Sequence, residues 1–335
     1  MMSNNKKFFR FLMTALLVLF VLSACNEDGA SGKSKENEGL PKDFPSKKID
    51  ALVGFAPGGG QDLIMRTLGQ IMEEEGIIDQ SFIVENKTGA GGRMAGEEVK
   101  KDSANPYKLI VVPEYGLGFD PRQEIEFSDF KPIASVSTSE VFVIVRQDSP
   151  YDTIEEFLAA LKEKNDVTIS TLGPVDGGEA AKWDEIRQAE GIDKLNYIPT
   201  AGAVESFTGV LSGQVDATFS VMPVIKDYVE TGEIKVLAVA SEERSEDLPD
   251  VPTLTEAGLD VIFHRYTGIW TGGDVSDEAI QFWAEAIEKA TQTEQWEKFL
   301  ANRLLKPYYN ASEDYVDIVK SDGEKFTEYV ESIEK

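Results

Sequence analysis

The sequence predicts an α/β protein built on parallel strands, and three stretches carry that reading. The run Ala51-Leu52-Val53 leads through Phe55-Ala56-Pro57 into Gly58, Gly59 and Gly60. The apolar residues that follow, Ile64, Leu68, Ile71 and Met72, have the i, i+4, i+7, i+8 spacing of one helix face. Ser81 to Asn86 reads as a second strand, followed by Thr88-Gly89-Ala90-Gly91-Gly92 and a helix over Arg93 to Lys101. Val167 to Thr171 is a third strand, opening on Leu172-Gly173-Pro174-Val175-Asp176-Gly177-Gly178 and a helix that runs through Trp183. Repeated strand–glycine–helix units imply loops gathered on one sheet edge, where ligands of open α/β sheets bind.

At the N-terminus, Lys6, Lys7 and Arg10 precede an apolar run from Phe11 to Leu22. Such a run is too short to span a bilayer and has the length of a signal-peptide core. It ends in Leu22-Ser23-Ala24-Cys25, which resembles the lipobox of bacterial lipoproteins, where the cysteine is acylated after cleavage. Residues 1–24 are therefore expected to be a lipoprotein signal peptide, with Cys25 as the lipidated residue. Cys25 is the only cysteine, so no disulfide and no thiolate metal cluster is expected. Residues 25–44 are rich in Ser, Gly, Lys and Glu and read as a flexible tether with a reach of roughly 20–25 Å.

Each glycine turn places a bare backbone at the start of a helix. The first turn of a helix has amides without intrahelical partners and a partial positive charge. Glycines let a ligand reach those amides, so an anion can be held without a basic side chain. Neither of the first two turns is a nucleotide motif. Both lack the Lys-Ser/Thr pair of a P-loop, and the sixth position counted from Gly58 or Gly89 is Leu63 or Met94 rather than glycine.

Beyond the second turn, Tyr107 to Pro113 reads as a buried strand, and Tyr115 stands in the loop at its end. Ile133 to Val136 and Val141 to Val145 are strand-like. Thr153 to Lys162 reads as a helix with Asp152 as its N-cap. Leu195 to Pro199 is a short strand, Thr200-Ala201-Gly202 opens a helix, Gln214 to Phe219 is a strand ended by Ser220 to Pro223, and Ile234 to Ser241 is another. Tyr266 to Trp270 is the last strand. Ser276 and Ser312 are expected to cap the two final helices, the second turning Val319, Phe326, Val330 and Ile333 inward.

Composition sets bounds. The chain has 335 residues, enough for two domains, and its formal net charge is −27. So much negative charge excludes nucleic acid as a partner and argues against electrostatic adsorption to anionic lipid. Any anion must be won locally, by short-range donors in a sheltered cleft. The single histidine, His264, is read as structural, and no H-E-x-x-H, G-x-S-x-G or Cys-His arrangement is present. No catalytic residue, metal or cofactor is expected.

The order of several short blocks resembles the Bug/TctC family, the solute-binding proteins of tripartite tricarboxylate transporters. The blocks are Phe44-Pro45, Phe55 to Asp62 with Arg66, Val84 to Gly92, Asp129 to Ala134, Ser212 to Asp216 and Leu248 to Gly258. The resemblance runs from residue 44 to the C-terminus and implies a type II periplasmic-binding-protein fold, with two lobes, a hinge and a ligand cleft between them. It places lobe 1 at 45–138 and 241–335 and lobe 2 at 139–240. Of the ligand-binding candidates, the resemblance implies positioning of loops and bridging waters for Asp62 and Asp216. The others, around the cleft, are Phe55, Pro57, Gly58, Gly59, Gly60, Tyr115, Thr171, Gly177, Gly178, Thr200, Ala201 and Gly202. The chain departs from the family pattern at Gly177 to Lys182, which lacks the usual Ser and His, and at Thr200-Ala201.

The function implied is that of a monomeric, surface-anchored lipoprotein outside the cytoplasm. It captures a small tri- or dicarboxylate or similar acid and delivers it to a transporter permease. A ligand sensor that signals to a partner, or a lipoprotein hydrolase, are the alternatives.

Overall fold

Two sheets, each with helices packed on its faces, account for the folded chain. The computed structural model describes residues 40–114, 117–163, 166–172, 175, 177–200, 203–263 and 265–334. Pro41–Lys335 form one compact unit. The candidates Cys25, Tyr115, Ala201 and Gly202, the leader, most of the tether and His264 lie outside the described residues.

The first sheet has the strand order β11-β4-β10-β3-β1-β2. Strand β1 (Ile49–Val53) buries every residue except Asp50 and runs parallel to β2 (Phe82–Asn86) and β3 (Lys108–Pro113). Between them lie α1 (Gly60–Glu74) and α2 (Arg93–Lys100). The expected face of α1 is the buried one: Ile64, Leu68, Ile71 and Met72 are all in the core. Strand β10 (Arg265–Gly272) runs antiparallel to both β3 and β4 (Phe130–Ser139), and β11 (Lys306–Ala311) closes the edge against β4. Beyond the parallel units the direction alternates: β10 and β11 reverse, and β4 between them runs with β1, β2 and β3.

The second sheet has the order β7-β6-β8-β5-β9. Here β6 (Thr168–Leu172) is parallel to β7 (Asn196–Thr200) and β8 (Ala217–Val221). Strand β5 (Val141–Arg146) is antiparallel to β8 and to β9 (Ile234–Val239). Helices α3 (Ile154–Glu163), α4 (Gly178–Glu190), α5 (Ala203–Ser212) and α6 (Met222–Thr231) complete this half. Its core centres on Trp183 of α4, stacked on Phe219 of β8 with ring centroids 4.1 Å apart.

Three helices end the chain: α7 (Asp277–Thr291), α8 (Glu294–Ala301) and α9 (Ser312–Ile333). Ser276 caps α7 by accepting from the Ala279 amide at 3.4 Å. The N-cap position of α9 is Ala311, not Ser312, and Ile333 in its last turn is exposed rather than inward. At α3 the capping residue is Thr153, whose hydroxyl accepts from the Glu156 amide at 3.3 Å. Asp152 instead takes the Lys235 ammonium at 2.6 Å.

Two boundaries differ from expectation. Phe44, assigned to the tether, is buried with its ring 4.9 Å from those of Tyr107 and Phe282, so the folded body already includes it. The chain crosses from the first sheet to the second through Glu140 alone. It does not return at Ala240. Leu254, Leu259, Val261 and Phe263 pack into the core of the second sheet, and the chain re-enters the first at Arg265. The reason is an apolar face on the second sheet that segment 241–263 has to cover.

Candidate functional site

Topology brings the loop edges of the two sheets together. The strands β1, β2 and β3 all end at the same edge, and β4 runs with them because both β3 and β4 oppose β10. Strand β4 ends at Ser139, and one residue later Val141 pairs with Val221, the end of β8. The C-terminal edge of the first sheet therefore adjoins that of the second through Glu140. On the first of these edges stand the turns before α1 and α2 and the end of β3, and on the second the turn before α4 and the end of β7.

The first glycine turn is held by a buried polar network. Asp62, in the first turn of α1, is 2% exposed. Its carboxylate accepts from the Gly58 amide at 2.9 Å, from Arg66 Nε at 3.0 Å and from Asn86 Nδ2 at 2.8 Å. Asn86 also donates to the Phe55 carbonyl at 3.0 Å, which ties the turn to the end of β2. Burial alone pushes the Asp62 carboxyl up, but the Arg66, Gly58 and Asn86 donors outweigh it and hold the group below the usual aspartate range.

This network redirects the expected chemistry. Gly58 and Gly59 do not offer their amides outward: Gly58 donates to Asp62, and Gly59 donates to the Ala56 carbonyl at 3.1 Å. Gly59 is the N-cap of α1, so the amides without an intrahelical carbonyl are those of Gly60, Gln61 and Asp62. Gly58 has φ +79°, a conformation that requires glycine, whereas a Cβ on Gly60 would meet nothing. The two glycine turns also touch. A Cβ on Gly54 would lie 2.4 Å from the Gly92 Cα. The Phe55 ring lies against Gly92, 3.6 Å from where a Cβ there would stand. Pro57 is exposed in the same turn.

On the second sheet, Gly177 is the extended N-cap of α4 and Gly178 its first residue. Glu179 is buried in that first turn, an acidic residue at the positive end of the helix. Thr171 is fully buried, and its carbonyl accepts from the Thr200 hydroxyl at 3.0 Å. Thr200 also bonds Ser206 in α5 at 2.5 Å, so its hydroxyl braces α5 against the end of β7.

Asp216 is not at this edge. It stands just before β8 and accepts from the Thr168 amide at 2.7 Å and the Thr168 hydroxyl at 2.9 Å. Thr168 starts β6, so Asp216 lies a full strand length from Gly177 and joins two strand beginnings instead.

Two residues that were not among the site candidates join the edge. Glu114 directly follows β3, and Arg265 begins β10 with Nε 3.2 Å from the Glu114 carboxylate. Burial pushes the Glu114 carboxyl up, and the Arg265 guanidinium opposes that shift. No local pattern announces this pair, because sheet registry alone brings them together. Arg66 and Asn86 did have a signal: an Arg four residues after Asp62 on one helix face, and an amide at a strand end before a glycine turn.

The family model for the tripartite tricarboxylate transporter family receptor matches residues 64–334. BugT of Bordetella pertussis is 26% identical over 221 residues, covering 64% of this chain and 67% of its own length. A TctC solute binding protein from Polaromonas superposes with a TM-score of 0.75 at 26% identity, covering 86% of this chain and 99% of that one. MatC from Rhodopseudomonas palustris, solved with bound malate, gives 0.67 at 20% identity, covering 86% and 100%.

Proposed function

The chain belongs to the tripartite tricarboxylate transporter family of receptors. From that premise we propose that it captures a small carboxylate between the adjoining edges of its two sheets and hands it to a membrane permease of the tripartite type. The observation that supports this reading is the single-residue crossover at Glu140, which joins the sheet edges that carry the glycine turns. The Gly60, Gln61 and Asp62 amides of α1 take one carboxylate, with Phe55 as a wall. The first-turn amides of α4, behind Gly177, serve the other end of the ligand. A structural neighbour solved with malate supports the ligand class.

Ligand bound between lobes stabilises whichever lobe arrangement it contacts better. Cys25, lipidated, keeps the receptor at the outer face of the membrane, within reach of the permease. The protein acts as a receptor, not an enzyme.

Thermal unfolding with malate, citrate, adipate and glutamate tests the reading. A ligand at about 100 times its Kd raises stability by roughly 2.7 kcal/mol. A midpoint that stays put with all four acids, in protein shown by mass spectrometry to carry no ligand, sinks the carboxylate assignment.

A further inference from the structure

We propose that the last turns of α9 form a clamp between the two cleft loops, with Thr327 and Tyr329 as the positioning residues. This rests on the reading of the junction as the ligand site. The Thr327 hydroxyl donates to the Phe119 carbonyl at 2.7 Å, in the loop that follows β3. The Tyr329 hydroxyl donates to the Val175 carbonyl, in the turn that presents α4. These residues are two apart, about 200° around the helix, so α9 bonds one lobe from each side.

Packing repeats the pattern. On the first-sheet side, Gly323 leaves room for the Phe119 ring, which a Cβ there would meet at 2.4 Å. Phe119 stacks on Phe127 at 4.8 Å, and further along α9 the Tyr315 hydroxyl accepts from Trp270 Nε1 at 2.9 Å. On the second-sheet side, Tyr329 and Val330 are buried against Ala180 and Ala181 of α4, with Phe326 beside them. By contrast, the crossovers are backed by a cavity of about 510 Å³ lined by Glu140, Ala240, Phe263 and Tyr308 among others. A hinge with open space behind it does not fix the lobe separation. A helix wedged between the loops does. Any rotation of the lobes about Glu140 has to carry α9 with one lobe and strip it from the other.

Amide hydrogen exchange on the full chain without ligand, followed residue by residue, tests the clamp. Tyr329→Phe is expected to speed exchange about fivefold at the Ala181 amide, which donates to the Gly177 carbonyl, the worth of one hydrogen bond, and to leave the Phe127 amide, which donates to the Gly118 carbonyl, unchanged. Thr327→Val is expected to do the reverse. Unchanged exchange at both loops overturns the proposal. So does uniform acceleration that includes β3, which would mean general loosening. Malate is the probe for coupling to the site. A Kd that shifts at least threefold in the double variant supports the clamp, and an equal Kd in both proteins overturns it. Should malate bind neither protein, the carboxylate reading fails for malate while the exchange data alone decide the clamp.

Discussion

Asp62 illustrates what one residue does here. Its carboxylate gathers the Gly58 amide, Arg66 and Asn86, and so shapes the turn instead of touching a ligand. Asp62→Asn keeps the shape but removes the charge that three donors face. It should cost about 2 kcal/mol at neutral pH, the scale of hydrogen bonds to a charged group. Because the folded pKa lies below the unfolded value near 3.9, this stability is present above about pH 4. It is lost as pH falls through the folded value. Wild type and variant should therefore converge in urea unfolding as the pH approaches 2, and a gap that persists undiminished would refute the electrostatic origin. The other singled-out acid, Asp216, has an equally good local pattern, yet it pins β6 to β8 at the far strand ends.

Among elements, the glycine turns divide into positions that need glycine and positions that do not. Gly54 and Gly92 let two backbones pass at contact distance, while the space around Gly60 is open. Gly54→Ala forces the turns apart and should cost about 2–3 kcal/mol, at the upper end for overpacking. Gly60→Ala, in the first turn of α1, should be neutral or slightly stabilising because alanine favours the helix. Equal midpoints for the two variants in thermal unfolding would contradict this division. The elements that sequence reading missed have a common cause. Helix α6 begins with Met222 and Pro223 straight after β8, and α8 and β11 are short segments on the outside of the fold. Helices α6 and α8 do carry Ile225, Tyr228, Val229 and Trp296, Phe299, Leu300 at i, i+3, i+4, but over only 10 and 8 residues, too short a window for the period to stand out from the flanking loops.

The whole molecule carries a net charge of −27, and this field opposes the approach of the anion it is proposed to bind. Added salt shortens the screening length from about 30 Å at 0.01 M to about 8 Å at 0.15 M. The association rate of malate should therefore rise with ionic strength, several-fold over that range by stopped-flow. A rate that falls with salt would mean that Arg265, Arg66 and the helix ends dominate the potential at the cleft mouth. The same scale governs domain organisation. The crossing near Ser137 to Val141 was an implication of the family resemblance, and β4 gives way to β5 in that stretch. The return was not legible, because segment 241–263 belongs to the second lobe only through burial of Leu254, Leu259, Val261 and Phe263.

The sequence by itself determined the strand–glycine–helix units, the face of α1 that is buried, and the family, because periodicity, turn chemistry and ordered motifs are local properties of the chain. Tertiary structure alone decided which glycine amides are already engaged, that Asp216 stands away from the site, that Glu114 meets Arg265, and that α9 bonds both lobes. Each of these depends on distances between segments remote in sequence. Strand registry and side-chain packing set those distances, and no local pattern encodes them.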